Sequence, residues 1–222
     1  MKAQNNIVLV TGFAPFGGES INPSWQIASR LPTYIDKAEI KRLEVPTEFN
    51  RAIKIVTREI DKHKPTIVLC LGQAGGRAAL TLERLAINID DAVIADNAGK
   101  QPIDKPIVAG APAAYFATLP IKAMVAAIQK NNLPASVSNT AGTFVCNHLI
   151  YGVLHHIAKK QYATRAGFMH VPYLSAQVVT NAGQASMSLA DMVLGVEVAI
   201  AVAIAMALNK KNDQKLTGGT LN

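Results

Sequence analysis

Five stretches of the chain carry the apolar signature of β-strands, and helical patterns separate several of them. Ile7-Val8-Leu9-Val10 runs into Thr11-Gly12. Ile67-Val68-Leu69-Cys70-Leu71, closed by Gly72, is unbroken apolar, as a strand covered on both faces should be. Ile40 to Val45 instead alternates apolar and charged residues, which predicts a strand near a sheet edge with one wet face. Val137 with its neighbours, and Ala166 to Val171, complete the set. Asn22-Pro23-Ser24 offers a cap and a first-turn proline for a helix over Trp25 to Leu31. Thr47 is the expected start of a helix with the stripe Phe49, Ile53, Val56 and Ile60, and Thr118 the expected cap of one that carries Pro120 and ends near Lys130. Cys146 opens a stripe of Leu149, Ile150, Val153, Leu154 and Ile157, and Ser188 with Asp191 resembles a capping box ahead of an apolar helix to Leu208. Strands alternating with helices predict an α/β domain built on a central sheet. After Asn209 the chain turns polar and glycine-bearing, which predicts a mobile tail over 209–222 behind a single domain over 1–208.

Composition narrows the class. The 222 residues suit one large domain, and an apolar half with only 17% charged residues excludes a disordered or fibrous chain. A net charge of +7 raises the question of nucleic acid, but the bases are scattered. The short clusters Lys62-His63-Lys64, Lys159-Lys160 and Lys210-Lys211 fall at predicted helix ends, where cations complement the dipole, and no aromatics interleave with them. Nucleic acid is therefore not an expected partner. Met192 to Leu208 falls short of the roughly 20 residues of a membrane span and carries Glu197, so a buried helix is expected there. Nothing at the start reads as a signal peptide, and the two cysteines sit in unlike contexts, which predicts a reducing cytoplasm. No Cys/His cluster has metal-ligand spacing, and Gly72 to Arg77 matches neither a dinucleotide fingerprint nor a P-loop, so no metal or cofactor is expected.

The chemistry concentrates around Ser138 to Asn147. A small-residue turn places Cys146 at the first turn of a helix, where free N–H groups and the positive dipole end favour a thiolate and can hold an oxyanion. The same cysteine also reads as a small hydrophobe opening the buried stripe. Cys70, inside an unbroken apolar strand, reads as core alone. Of the five histidines, His63 sits among lysines, and His155 and His156 lie late in the helix, about 14 Å from Cys146. His148 is two residues from Cys146 and points elsewhere. His170, closing a strand, is the remaining base, or a packed core histidine. Glu83 can orient that histidine or pair with Arg84 or another base. Phe13 and Phe16, two of six phenylalanines, fall on a loop after the first strand and can make the faces of a slot for a flat ligand, or simply pack.

These residues resemble the pyroglutamyl peptidase I family of cysteine peptidases. The resemblance runs from Ile7 to about Leu208 and is densest in Gly72-Gln73-Ala74-Gly75 with Leu80 to Asn88, and in Ser138 to Asn147. It implies an α/β/α sandwich of three layers with a twisted mixed, mostly parallel sheet. It implies Cys146 as nucleophile, His170 as base and Glu83 as its orienting carboxylate, with Phe13, Phe16, Asn22, Gln73, Phe144 and Val145 binding the substrate ring. The implied substrates are peptides with N-terminal pyroglutamate, cleaved through a thioester without metal or cofactor, in a homo-oligomer, by family habit a tetramer. One departure is Val93, where relatives commonly carry an arginine near the site. That substitution leaves open a weakened or binding-only homologue, and the glycine-rich loops alone also fit a phosphorylase for a heterocycle.

Overall fold

The computed structural model describes residues 6–180, 183–209 and 211–219. Ten strands and five α-helices follow one another as β1 (Ile7–Phe13), α1 (Pro23–Ala28), β2 (Tyr34–Ile35), β3 (Ala38–Val45), α2 (Arg51–His63), β4 (Ile67–Gln73), β5 (Leu80–Ile87), β6 (Ala114–Phe116), α3 (Ile121–Lys130), β7 (Ala135–Thr140), α4 (Val145–Lys160), β8 (Arg165–Val171), β9 (Tyr173–Leu174), β10 (Ser186–Met187) and α5 (Leu189–Leu208). The main sheet has the order β2-β3-β1-β4-β8-β5-β6, with β7 also paired to β5. Strands β3, β1, β4 and β8 are mutually parallel, β5 runs antiparallel to β8, and β7 runs parallel to β5.

Strand alternation sorts the core into two layers. Val8, Val10, Ile67, Leu69 and Leu71 face α1, α3 and α5, whose Ile27, Met124, Val196 and Ile200 complete that cluster. Leu9, Val68, Cys70 and Phe168 face α2 and α4, with Val56, Ile60, Leu149 and Val153. The α/β/α sandwich follows directly from this period of two.

All five sequence-predicted strands are present. β4 lies at the centre of the sheet, and Ile67 to Gly72 are buried throughout. β3 has only the two-residue β2 beyond it. The largest omission is β5, which carries Glu83; its regular alternation stops at Glu83-Arg84, before Leu85 and Ala86.

Two expected caps are corrected. Thr47 does not cap α2, because the helix begins only at Arg51 with Asn50 as its N-cap, and the Thr47 hydroxyl donates instead to Ala14 O at 2.9 Å. Thr118 does not cap α3, because its Oγ1 accepts from Ala166 N–H at 2.7 Å and joins the segment to β8. The first amides of α3 instead donate to the tail: Lys122 N–H and Ala123 N–H each reach Asp213 at 2.9 Å. Residues 211–219 have no regular structure, yet Arg84 also donates to Gly218 O and Arg165 to Lys211 O, bonds that the expectation of a mobile tail does not foresee. Lys210 and 220–222, part of that expectation, lie outside the described residues. At Asn22 and Ser188 the local rules hold, with Asn22 Oδ1 accepting from Ser24 N–H and Ser188 Oγ from Asp191 N–H.

Candidate active site

The parallel strands β4 and β8 end side by side, with Gly72 paired to His170 and Gln73 to Val171. This is also where the sheet reverses, since Thr81 of antiparallel β5 pairs with His170 from the other side. Two residues beyond Thr81, and therefore on the same face, is Glu83. Leu80 and Leu82 occupy the opposite face, in the α1/α3/α5 core.

Cys146 arrives from above this edge, on the first turn of α4. A β-carbon at Gly72 would lie 2.9 Å from Cys146 Sγ and 2.6 Å from Phe168 Cζ, so the bare backbone of glycine makes room for the sulfur. The thiol thus rests one strand from the backbone of His170. Phe144, the N-cap of α4, provides no side-chain cap, so no capping side chain claims the first amides of the helix.

His170 Nδ1 lies 2.7 Å from Glu83 Oε1, and both side chains are almost wholly buried. A carboxylate accepts only, so Nδ1 carries the proton and Nε2 is left as the free lone pair. Burial holds the imidazole below its usual pKa, against the pull of Glu83, and Arg77 adds a smaller downward push. The Cys146 thiol differs from the sequence expectation. Burial, reinforced by the negative charge of Glu83, pushes it up to about 12, so the resting sulfur is a thiol. Cys70 is core as expected, fully buried, with its thiol pushed up to about 12 by that burial.

The remaining histidines are engaged elsewhere. His155 meets Tyr115 at 2.9 Å, His156 meets Asp61 at 2.9 Å and His63 meets Glu59 at 3.3 Å. His148, two residues from Cys146, has a task that spacing does not reveal. Its Nδ1 donates to buried Asp90 at 2.8 Å and its Nε2 accepts from Asn50 N–H at 2.7 Å. Asn147 adds a second clamp: its Oδ1 accepts from Ile87 N–H at 2.9 Å, while its Nδ2 donates to Ile87 O at 2.9 Å and to Ile89 O at 3.1 Å. Together they fix the start of α4 against the end of β5.

The expected ring-binding residues divide by position. Phe16 is on the loop and its ring lies 6.1 Å from that of Phe144, tilted by 39°. Phe144 is braced edge-on by Phe49 at 5.5 Å. Phe13 is not on the loop; it is the last residue of β1 and buried on the α2/α4 side. Asn22 is buried with both polar ends engaged, Nδ2 on Ala14 O at 3.1 Å and Oδ1 on Ser24, so its side chain shapes the loop. The side chain of Val145 is fully buried. Gln73 Oε1 accepts from Gln177 Nε2 at 3.0 Å, a partner without a sequence signal. Asp91 to Asn97 crosses nearby, with Asp91 bonded to Thr143 and Asn97 to Pro15 O, while Val93 is 93% exposed at its tip. A cleft of about 570 Å³ beside Arg84, Phe116, Lys122, Arg165 and Asp213 lies elsewhere and brings neither cysteine nor histidine.

A cysteine on a helix N-terminus beside a carboxylate-supported imidazole, at the ends of two parallel strands, defines a cysteine-type hydrolase. Residues 6–206 match the model of the Pyroglutamyl peptidase family, Peptidase_C15, and the chain belongs to that family. It is 54% identical over 212 residues to pyrrolidone-carboxylate peptidase 1 of Streptococcus pneumoniae, covering 96% of this chain and 98% of that one. Against the pyrrolidone-carboxylate peptidase of Erwinia tasmaniensis the identity is 49% over 213 residues, covering 96% and 97%. Among solved structures, pyroglutamyl peptidase I of Bacillus amyloliquefaciens superimposes with a TM-score of 0.89 at 43% identity, covering 94% of this chain and all of that one. The pyrrolidone carboxyl peptidase of Thermococcus litoralis does so at 0.92 with 39% identity, covering 96% and 99%.

Proposed function

We propose that this protein removes N-terminal pyroglutamate from peptides, with Cys146 as nucleophile, His170 as general base and then acid, and Glu83 as the carboxylate that fixes the imidazole tautomer. The observation that carries the reading is the buried 2.7 Å Glu83–His170 pair at the strand ends over which α4 delivers Cys146. As the sulfur attacks the pyroglutamyl carbonyl, its proton passes to Nε2 of His170, and the negative oxygen is held by first-turn amides of α4. The imidazolium then protonates the departing amine. Water, activated by the neutral imidazole, releases pyroglutamate from the thioester. No step calls for a metal or cofactor.

Pyroglutamate presents a flat lactam and no ammonium group. The rings of Phe16 and Phe144 suit its faces, and the Gln73 amide, steadied by Gln177, suits its polar edge. Phe13 supports the pocket from the core, Asn22 shapes its loop, and Val145 offers its backbone N–H. A proline ring lacks the lactam carbonyl and would leave a polar partner unpaired. The direct test is release of a fluorogenic amine from its pyroglutamyl amide with the prolyl amide as control, and equal cleavage of both would refute the specificity. Phe16→Ala and Phe144→Ala should each raise KM about tenfold while kcat falls less, because the rings carry no proton. An unchanged KM in both variants would return these rings to packing.

The working form is proposed to be a homo-oligomer, a tetramer, in a reducing cytoplasm where the free thiol of Cys146 persists. α5 is long and apolar enough to cross a membrane, but Met192, Val196, Ala199, Ile200 and Ala203 seal one side of it into the core. Its other side presents Leu194, 43% exposed, and Leu208, 51% exposed. A patch of that kind invites a second copy of the chain. Light scattering after size exclusion should give an oligomer whose mass falls in Leu194→Glu, whereas a monomer at every concentration would defeat this part of the proposal.

A further inference from the structure

Arg77 lies six residues before Glu83 in the sequence, and spacing alone offers no reason to join them. The fold joins them. Gly75 passes so close beneath the Tyr173 ring that a β-carbon would lie 2.3 Å from the Tyr173 hydroxyl oxygen, and Arg77 N–H closes the turn onto Ala74 O at 3.3 Å. The chain is thereby sent back over the start of β5. There the Arg77 guanidinium donates to Thr81 Oγ1 at 2.5 Å and to Glu83 Oε1 at 2.7 Å. That oxygen is the one that accepts from His170 Nδ1. Glu83 Oε2, equally buried, has no hydrogen-bond partner among the described residues.

We infer that Arg77 is a positioning residue of the catalytic pair: by sharing Glu83 Oε1 with His170 it sets how strongly the carboxylate supports the imidazole while the proton moves. The inference rests on the assignment of Cys146, His170 and Glu83 given above. A buried carboxylate bonded only to a neutral imidazole would be an uncompensated charge, and its whole attraction would fall on the imidazolium formed after Cys146 gives up its proton. Too strong a hold makes that imidazolium a poor acid toward the leaving amine. Arg77 offsets the attraction in two ways, by drawing on the same oxygen and by placing a second cation near the imidazolium. Its charge lowers the pKa of His170 and of the Cys146 thiol alike. Among the described residues, the other titratable groups around the pair are the thiols of Cys70 on β4 and Cys146 on α4, and the Tyr173 hydroxyl at Gly75. α1 carries no titratable side chain.

The test compares Arg77→Met, Arg77→Gln and Arg77→Lys by the NMR titration of the His170 ring and by the acid limb of kcat/KM for a pyroglutamyl amide. In Arg77→Met both midpoints should move up by about one pH unit. The plateau kcat should fall about tenfold with KM little changed. Arg77→Lys should return the midpoint most of the way, and in a Glu83→Gln background Arg77→Met should raise the midpoint by less than in the wild type, because only the direct effect of the cation is then left to lose. Arg77→Gln keeps a donor without the charge and gives the same reading if the methionine variant does not fold. A fixed His170 midpoint in folded Arg77→Met or Arg77→Gln, or a uniform loss of rate at every pH, would overturn the role of Arg77 while leaving the nucleophile and base intact. Full activity in His170→Asn would instead overturn the catalytic assignment on which it rests.

Discussion

Cys146→Ala is expected to lose cleavage of pyroglutamyl amides by at least about 10⁴-fold while keeping its fold. The Cys146 sulfur packs at the margin of the α2/α4 core, over Gly72, and the residue keeps some solvent exposure, so its loss removes little packing. Cys70→Ala should show the reverse. That side chain is sealed between β4 and the α2/α4 layer, so its removal costs about 1 kcal/mol of stability and leaves kcat nearly unchanged. Alkylation adds a second reading. Iodoacetamide should label Cys146 before Cys70, slowly at neutral pH and about tenfold faster for each added pH unit, because the resting sulfur is a thiol pushed up to about 12. Faster labelling of Cys70 in the folded protein would place the nucleophile elsewhere, and fast, pH-independent labelling of Cys146 would mean a resting thiolate.

The second large effect concerns pH and Glu83. The base must be neutral to accept the thiol proton, so kcat/KM falls as pH drops through the His170 pKa. Burial holds that value below the ordinary histidine range, and the wild-type acid limb should therefore lie below pH 6.5. Glu83 opposes burial, through its hydrogen bond and its charge, by favouring the imidazolium. Glu83→Gln removes that support, so the acid limb should move to still lower pH while the plateau falls by about 10²–10⁴-fold, since the amide no longer enforces a proton on Nδ1. Arg77→Met should move the same limb the opposite way. A pH–rate series over the three proteins checks both signs, and a Glu83→Gln limb that rises or a plateau that stays put would contradict the assignment.

The sequence made the centre of the fold legible because the centre obeys local rules. β4 is an unbroken apolar run and proves to be covered on both faces, and Cys146 does open a helix after a small-residue turn. β5 escaped because Arg84, next to Glu83, breaks the alternation that Leu80 to Glu83 begin, and Glu83 itself is polar for function, facing Arg77 and His170. The two misplaced caps have a common cause. A threonine hydroxyl takes any good partner, and Thr47 and Thr118 each bond a backbone group from a distant part of the chain. α3 is capped by Asp213, some ninety residues away, which no local rule can find.

Within the site, the resemblance named every member of the catalytic assignment, and elimination among the histidines reached His170 independently. What spacing could not deliver was the environment. The dipole argument for a thiolate weighed one favourable term, whereas burial and the charge of Glu83 act together against it. The clamps at Asn147 and His148 and the shared oxygen between Arg77 and His170 depend on loops that return from distant strands.

The central claim is that Cys146 itself takes up the pyroglutamyl group. Rapid acid quench of the enzyme during turnover of an activated pyroglutamyl ester, followed by mass spectrometry of the digested protein, tests this most directly. The account predicts one pyroglutamyl group on the peptide that contains Cys146, labile to hydroxylamine as a thioester is, and absent in Cys146→Ala. Acylation of any other residue, or full turnover by Cys146→Ala, would contradict it.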